Sequence, residues 1–192
     1  MKRRVVLAGL GLPCLGLPAL AGAEARGASD AAAKLRRGGV AVLLRHAATE
    51  PGIGDPPGFR LGECATQRLL SAPGREQARR IGTWFSARGL APAEVRSSAW
   101  CRCLDTATLA FGRAQPWSPL NSFFDDRSAE SAQSAALRAA LARLPAQGFE
   151  VWVTHQVNIT ALTGVSPGVG EAMVVRLSAG KVHNLARIRF ED

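Results

Sequence analysis

Two charged or ionisable side chains stand where an apolar stretch of the sequence stops. Residues 40–44 form a continuous apolar run, and Arg45 and His46 follow it directly. A buried arginine is costly without a compensating negative charge, and its planar fork of N–H donors suits an oxyanion. The imidazole beside it can act as a nucleophile or exchange a proton. This pair is the first candidate for chemistry in the chain.

A second histidine has the same position relative to another apolar run. His155 follows residues 149–154, FEVWVT. Both runs have the composition of strands that are buried on two faces. In a parallel sheet, ligands gather at the carboxyl ends of the strands. The sequence therefore predicts that His46 and His155 meet at one edge of a sheet.

The segments around these runs predict alternating helices and strands. Alternation of this kind is typical of a three-layer α/β/α fold with a mainly parallel central sheet. Residues 50–59 carry three prolines and three glycines and are expected to form an irregular loop. We expect helices at residues 71–89, through 104–111 and at 128–144, and strands at residues 40–44, 94–97, 149–154, 173–177 and 183–190.

The start of the chain has the pattern of a secretory signal peptide. In residues 1–23 a basic beginning precedes an apolar stretch, and small residues that suit cleavage follow. Glycines and prolines interrupt that stretch, which argues against a membrane anchor. We therefore expect a signal peptide at residues 1–23, a lead-in segment at 24–36, one domain at 37–192, and a periplasmic or secreted location.

The basic composition does not indicate nucleic-acid binding. The 192 residues include 24 Lys and Arg against 15 Asp and Glu, a net charge of +9, which falls to +6 without the three basic residues of the predicted signal peptide. The arginines are spread along the chain, without a basic run or interleaved aromatic residues. The charge favours anionic small molecules or glycans as partners. No stable membrane insertion is expected after signal removal.

Three cysteines remain in the predicted mature chain, Cys64, Cys101 and Cys103. The one-residue spacing of the last two is unusual for a metal site and no nearby histidine completes a set, so we expect no metal. In an exported protein, Cys64 is expected to pair with Cys101 or Cys103. Residues 101 and 103 point about 200° apart on a helix, so the other thiol is expected to stay free and buried. Three reduced cysteines are the alternative.

Four segments of the chain carry motifs in a fixed order: LLRHA at 43–47, LLSAPGREQA at 69–78, VRSSAWCRCLDTA at 95–107 and VWVTHQ at 151–156. In this order they resemble the histidine phosphatase superfamily, in its phosphoglycerate mutase-like branch. The first segment matches the family's strand with Arg-His, and the second matches its L-[ST]-x-x-G-x-x-Q-A segment. The third matches its strand, Ser and Arg-Thr helix, and the fourth matches its second histidine. The chain departs from the family pattern at Ala47 and Gln156, where Gly is usual.

The resemblance implies a phosphoglycerate mutase-like fold and a metal-independent histidine phosphatase without cofactors. His46 is the expected nucleophile, which forms a phosphohistidine while its other ring nitrogen donates to a backbone carbonyl. His155 is expected to donate to the phosphoryl group. Arg45 and Arg102 are the expected phosphate ligands. An exported phosphomonoesterase is the leading interpretation, and the alternatives are a phosphomutase and a noncatalytic domain that binds phosphorylated glycans.

The resemblance also implies a general acid, which relatives often take from the segment after the third strand. Asp126 is the expected residue there, and a helix cap in front of Ser128 is an equally weighted alternative. Asp125 and Glu171 are further candidates. Arg60, Arg68 and Gln77 are expected either to line the substrate pocket or to lie on a solvated face.

Overall fold

The structure is a computed structural model that describes residues 19–190. Most of the predicted signal peptide, residues 1–18, lies outside the described residues. The described chain alternates between helices and strands as the sequence predicted. Its elements are α1 (Ala19–Arg37), β1 (Val40–Arg45), α2 (Ala72–Ser86), β2 (Glu94–Ser97), α3 (Cys101–Phe111), β3 (Gln115–Pro116), α4 (Glu130–Leu141), β4 (Phe149–Thr154), α5 (Gln156–Thr163), β5 (Ala172–Ser178) and β6 (Lys181–Ile188).

The strands form one sheet in the order β3-β2-β4-β1-β5-β6. β3, β2, β4 and β1 pair in parallel with one another, which gives the mainly parallel sheet that was predicted. β5 pairs antiparallel with β1 and with β6, so a hairpin closes one side of the sheet. Ala179 and Gly180 make the hairpin turn with positive φ angles of 48° and 73°. β1 and β4, which precede the two histidines, are adjacent at the centre.

Helices cover both faces of the sheet. Val40, Val42 and Leu44 of β1 point into a core formed with α1, α2 and α3, whereas Ala41 and Leu43 point into a core formed with α4 and α5. All five side chains are 0–1% exposed. The prediction of a three-layer α/β/α fold is confirmed. None of the helices within residues 19–190 has the length and apolar character needed to cross a bilayer.

Three local features differ from the predictions. Residues 24–36 lie within α1, and Ala31, Ala32 and Leu35 of that segment pack in the core. The expected helix at 128–144 begins as a 3-10 turn at Arg127–Ala129 before α4. α5 was not predicted, because eight residues are too few to show a clear helical period.

The start of α2 lies directly against the loop that follows His46. Ser71 caps the helix by accepting a hydrogen bond from the Gly74 N–H over 3.1 Å. A Cβ atom on Gly74 would lie 1.8 Å from the carbonyl oxygen of Ala48, so only glycine allows this approach. The first turn of α2 therefore supports the backbone beside His46.

Candidate active site

His46 directly follows β1, and its backbone N–H and carbonyl are both hydrogen-bonded. Its N–H donates to the Thr154 carbonyl over 3.0 Å, and its carbonyl accepts from the Gly170 N–H over 3.1 Å. Nδ1 lies 2.8 Å from the Ala47 carbonyl, and since a carbonyl only accepts, Nδ1 carries the proton. Burial lowers the pKa of His46 to about 3 despite this hydrogen bond, and nearby arginines act in the same direction. At neutral pH, Nε2 therefore presents a lone pair.

His155 follows β4 and meets His46, as the sequence predicted. The ring centroids are 5.4 Å apart in an edge-on arrangement. His155 Nε2 lies 2.9 Å from Ser98 Oγ and 3.5 Å from Cys103 Sγ. Each neighbour has one hydrogen and a second acceptor within reach, Asn121 Oδ1 for the Ser98 hydroxyl and the Thr154 carbonyl for the Cys103 thiol, so these contacts do not assign the ring proton to one nitrogen. Burial and neighbouring positive charges lower the pKa of His155 well below its ordinary value, so this ring is also neutral.

Three arginines, Arg45, Arg68 and Arg102, lie near the two histidines. Burial lowers the pKa of Arg45 and of Arg68, and each pKa is lowered further by another guanidinium of the trio. Arg45 donates to the Pro167 carbonyl over 2.8 Å. The buried Nε–H groups of Arg45 and Arg102 have no acceptor within the described part of the chain. Because unpaired buried donors are costly, a bound anion would complete this arrangement.

Asp55 is a site residue that the sequence did not reveal. Its side chain is only 2% exposed and accepts from Arg102 over 2.7 Å, from the Arg68 N–H over 2.9 Å and from Trp100 Nε1 over 2.9 Å. Burial raises the pKa of Asp55, but the hydrogen bonds from Arg102 and from the Arg68 amide outweigh it, so the pKa lies below its ordinary value. Asp55 is therefore a carboxylate that orients the Arg102 fork.

A cavity of about 320 Å³ opens over these side chains. We call Arg45, His46, Asp55, Arg68, Arg102 and His155 the charged cluster, and Gly52, Ile53, Gly54, Phe124 and Asp125 the mouth. The charged cluster has three guanidinium groups and one carboxylate, a net charge of +2. α5 begins directly after His155, and its first residues also line the cavity, so the positive end of the helix dipole lies there.

A second cavity of about 630 Å³ lies beside α4. It is larger and more open than the first, but none of its lining residues belongs to the charged cluster. We therefore assign the smaller cavity as the candidate active site.

A disulfide joins the loop before α2 to the first turn of α3. Cys64 and Cys101 are bonded, with Cα atoms 5.6 Å apart, and Cys103 is free and buried. This is one of the two pairings expected from the sequence. Burial raises the pKa of Cys103 to about 12, so this residue stays a thiol beside His155. Gln67 adds to the connection, because its Oε1 accepts from the Cys101 N–H over 2.9 Å.

The adjacent carboxylates Asp125 and Asp126 occupy different environments. Asp126 accepts from the Ser128 N–H over 3.0 Å and from the Ser128 hydroxyl over 2.6 Å, which is the capping contact weighed in the sequence. These hydrogen bonds lower the pKa of Asp126, which opposes proton donation by this group. Asp125 lines the cavity. The catalytic role of Asp126 remains a prediction, and Asp125 is better placed for it.

The remaining candidates make structural contacts. Glu171 forms ion pairs with Arg187 and Arg189, and Arg60 pairs with a carboxylate in its own loop. Gln77 joins two backbone segments, since its Oε1 accepts from the amide two residues after His46 and its Nε2 donates to a carbonyl near β5. Arg60, Arg68 and Gln77 were expected either to line the pocket or to lie on a solvated face, and of the three only Arg68 lines the cavity.

Within residues 19–190, no group of three His, Cys, Asp or Glu side chains is arranged to hold a metal ion. Metal independence itself remains a prediction about activity.

Solved structures with this fold are consistently members of the histidine phosphatase superfamily. The protein histidine phosphatase SixA complexed with tungstate aligns with a TM-score of 0.56 and 15% identity, over 79% of this chain and 97% of that chain. A putative alpha-ribazole-5'-P phosphatase from Escherichia coli aligns with a TM-score of 0.60 and 18% identity, over 79% and 97%. The mycobacterial glucosyl-3-phosphoglycerate phosphatase in complex with VO3 aligns with a TM-score of 0.55 and 15% identity, over 76% of this chain and 96% of that chain.

The chain thus has the phosphoglycerate mutase-like fold of the histidine phosphatase superfamily, which confirms the resemblance at the level of fold. No protein-family model matches the sequence, and no curated protein matches it. At 15–18% identity these likenesses establish the fold alone.

Proposed function

We propose that the protein is an exported phosphomonoesterase that hydrolyses a phosphate monoester through a phosphohistidine on His46. The observation that carries the proposal is a neutral imidazole, with Nδ1 fixed and Nε2 unprotonated, beside three arginines, of which Arg45 and Arg102 retain an unpaired buried donor. A phosphate monoester near neutral pH carries about 1.5 to 2 negative charges. The net charge of +2 in the charged cluster matches it.

In the first step, the Nε2 lone pair of His46 attacks phosphorus while the bond from phosphorus to the leaving oxygen breaks. Arg45 and Arg102 hold the nonbridging oxygens, and a ring N–H of His155 donates to one of them. The leaving oxygen takes a proton from a side-chain carboxylic acid, that of Asp125 or of Asp126. Water then attacks the phosphohistidine and returns a proton to that carboxylate, which releases phosphate and restores His46.

Ser98 serves as the positioning residue for His155 in this mechanism. Its hydroxyl holds Nε2, and Asn121 Oδ1 lies 3.3 Å from the same hydroxyl while it accepts from the Ala99 N–H over 2.9 Å. These contacts hold the ring of His155 in place. Two similar structures are complexes with an oxyanion, tungstate in one and VO3 in the other, which further supports a phosphate ester as the ligand.

Periplasmic or secreted activity follows from the predicted signal peptide and agrees with the disulfide. The proposed partners are small-molecule or glycan phosphate monoesters. Activity is expected to persist in EDTA, because arginines already neutralise the phosphate. Loss of activity in EDTA with recovery on addition of a divalent ion would contradict this mechanism.

The decisive experiment traps the intermediate. The protein is mixed with labelled p-nitrophenyl phosphate, quenched at alkaline pH because acid cleaves phosphohistidine, and mapped by peptide analysis. We expect label on His46, and a loss of turnover of at least about 1,000-fold in His46→Ala. His183→Ala, at an exposed position on β6, is the matched control. Label on His155 would reverse the assigned roles.

Binding of phosphate monoesters without turnover by the wild-type protein would favour the alternative of a noncatalytic binder. Transfer of the phosphoryl group to a second alcohol in place of water would favour a phosphomutase.

A further inference from the structure

Exposed large apolar side chains are concentrated at the mouth of the cavity. In the described residues, four such side chains are exposed, and two of them, Ile53 at 91% and Phe124 at 52%, line the same cavity as the arginines. Exposed apolar side chains beside a cavity are typical of ligand-binding surfaces. Neither residue is required by the core, since neither belongs to an apolar cluster of the fold.

The position of Ile53 is fixed although its side chain is exposed. Arg68 donates to the carbonyl of Gly52 over 2.9 Å and to that of Gly54 over 2.8 Å, so a guanidinium of the charged cluster holds both neighbours of Ile53. A Cβ atom on Gly54 would lie 3.9 Å from Cε1 of Phe124, which places the Phe124 ring against this loop. The two apolar side chains therefore stand on adjoining segments at the mouth.

The charges at the mouth select against an acidic leaving group. The cations that line the cavity, Arg45, Arg68 and Arg102, all belong to the charged cluster, where the proposed phosphate would bind. The mouth itself contributes one ionisable side chain, the carboxyl of Asp125. A carboxylate on the leaving group would meet Asp125 and would have no arginine left to pair with.

We propose that the substrate is a phosphate monoester with an uncharged, predominantly apolar leaving group of aromatic type, which packs against Ile53 and Phe124. This inference rests on the proposed function, because the phosphate in the charged cluster determines where the leaving group lies. Apolar contact with an exposed pair adds selectivity between leaving groups, whereas the arginines bind all phosphate monoesters alike.

The test compares two aryl phosphates whose leaving groups are similar in acidity and differ in apolar area, phenyl phosphate and 2-naphthyl phosphate. We expect kcat/KM to be about 10-fold higher for the naphthyl ester, at the low end of what one added apolar group gives in a pocket, because the mouth is open. The combined variant Ile53→Ser and Phe124→Ser should remove this preference. Leu61→Ser changes an exposed apolar side chain outside the cavity and should retain it.

Binding of phenylphosphonate and 2-naphthylphosphonate, measured by calorimetry, separates this inference from the proposed function, since neither compound can be hydrolysed. Turnover with no preference for the naphthyl ester would support the proposed phosphatase activity and overturn the inference about the leaving group. Tighter naphthylphosphonate binding without turnover of any ester would overturn the phosphatase and support the ligand class. A preference that persists in the combined variant would also overturn the inference, because Ile53 and Phe124 would not be its source.

Discussion

The charged cluster and the mouth adjoin one cavity but are built in different ways. Every residue of the charged cluster except His46 lines this cavity, and the His46 ring packs against that of His155. His46 and His155 are 5% and 4% exposed, and each follows a central strand whose backbone is fully paired. Ile53 and Phe124 lie in irregular segments and are largely exposed. The sheet therefore fixes the side chains that are proposed to act on phosphate, and loops present the side chains that are proposed to contact the rest of the substrate. Chemistry and selectivity can change separately in such a design.

Replacing Asp125 tests whether the mouth also contributes to the chemistry. Asp125→Asn should lower the rate with an alkyl phosphate by about 100- to 10,000-fold, the usual contribution of a general acid. The loss should be much smaller with p-nitrophenyl phosphate, whose leaving group needs little protonation. Steady-state rates with both substrates measure the difference. Asp126→Asn is the matched control, and a larger loss in that variant would assign the acid to Asp126.

Asp55 is an exception to this comparison, because it belongs to the charged cluster but lies in the same loop as Ile53. Its carboxylate pairs with Arg102. Asp55→Asn should lower the free energy of unfolding by about 3 to 5 kcal/mol, since it leaves a buried guanidinium without its counterion. Urea denaturation measures this change. Asp105→Asn, which loses an exposed pair with Arg75, should cost less than about 1 kcal/mol. Equal losses in the two variants would show that Asp55 is not a buried ion-pair partner.

The disulfide is the covalent link between the loop before α2 and the first turn of α3. Replacing Cys64 and Cys101 together by alanine should lower the free energy of unfolding by roughly 2 to 4 kcal/mol. Dithiothreitol should destabilise the wild type to a similar extent and leave the double variant unchanged. Cys103→Ala keeps the bond and should stay sensitive to dithiothreitol. Three free thiols in protein purified from the periplasm would contradict the pairing.

The smallest expected effect is a dependence of stability on pH that originates in the charged cluster. The pKa of His46 is about 3 in the folded protein against an ordinary value of 6.5. As pH falls below 6.5 the unfolded chain takes up a proton that the folded chain does not, so stability is lost. Between about pH 7 and 5 this group should lower the free energy of unfolding by roughly 2 kcal/mol.

Urea denaturation of wild type and His46→Asn at both pH values isolates this contribution, and His183→Asn is the matched control. The lowered pKa of His155 acts in the same direction in both proteins. A wild-type stability that falls no more steeply than that of His46→Asn would show that the buried imidazole is not held neutral.

The fold and the meeting of the two histidines could be predicted because β1 and β4 are buried on both faces. Such strands appear in the sequence as unbroken apolar runs, and the polar residue after each run marks the edge of the sheet. The role of Asp55 could not be predicted, since its partner Arg102 is 47 positions away and the loop between prolines and glycines has no period. The choice between Asp125 and Asp126 depends on side-chain directions that an irregular segment does not specify.

The central position of β1 has a consequence for motion. The backbone of β1 is hydrogen-bonded on both sides, to β4 and to β5, and His46 continues this pairing through Thr154 and Gly170. Amide hydrogens in such a strand exchange with solvent mainly when the whole domain opens. The backbone of His46, the proposed nucleophile, should therefore keep its hydrogen bonds for as long as the domain stays folded. Substitutions that weaken the domain elsewhere should reduce the amount of active protein and leave the turnover of each folded molecule unchanged.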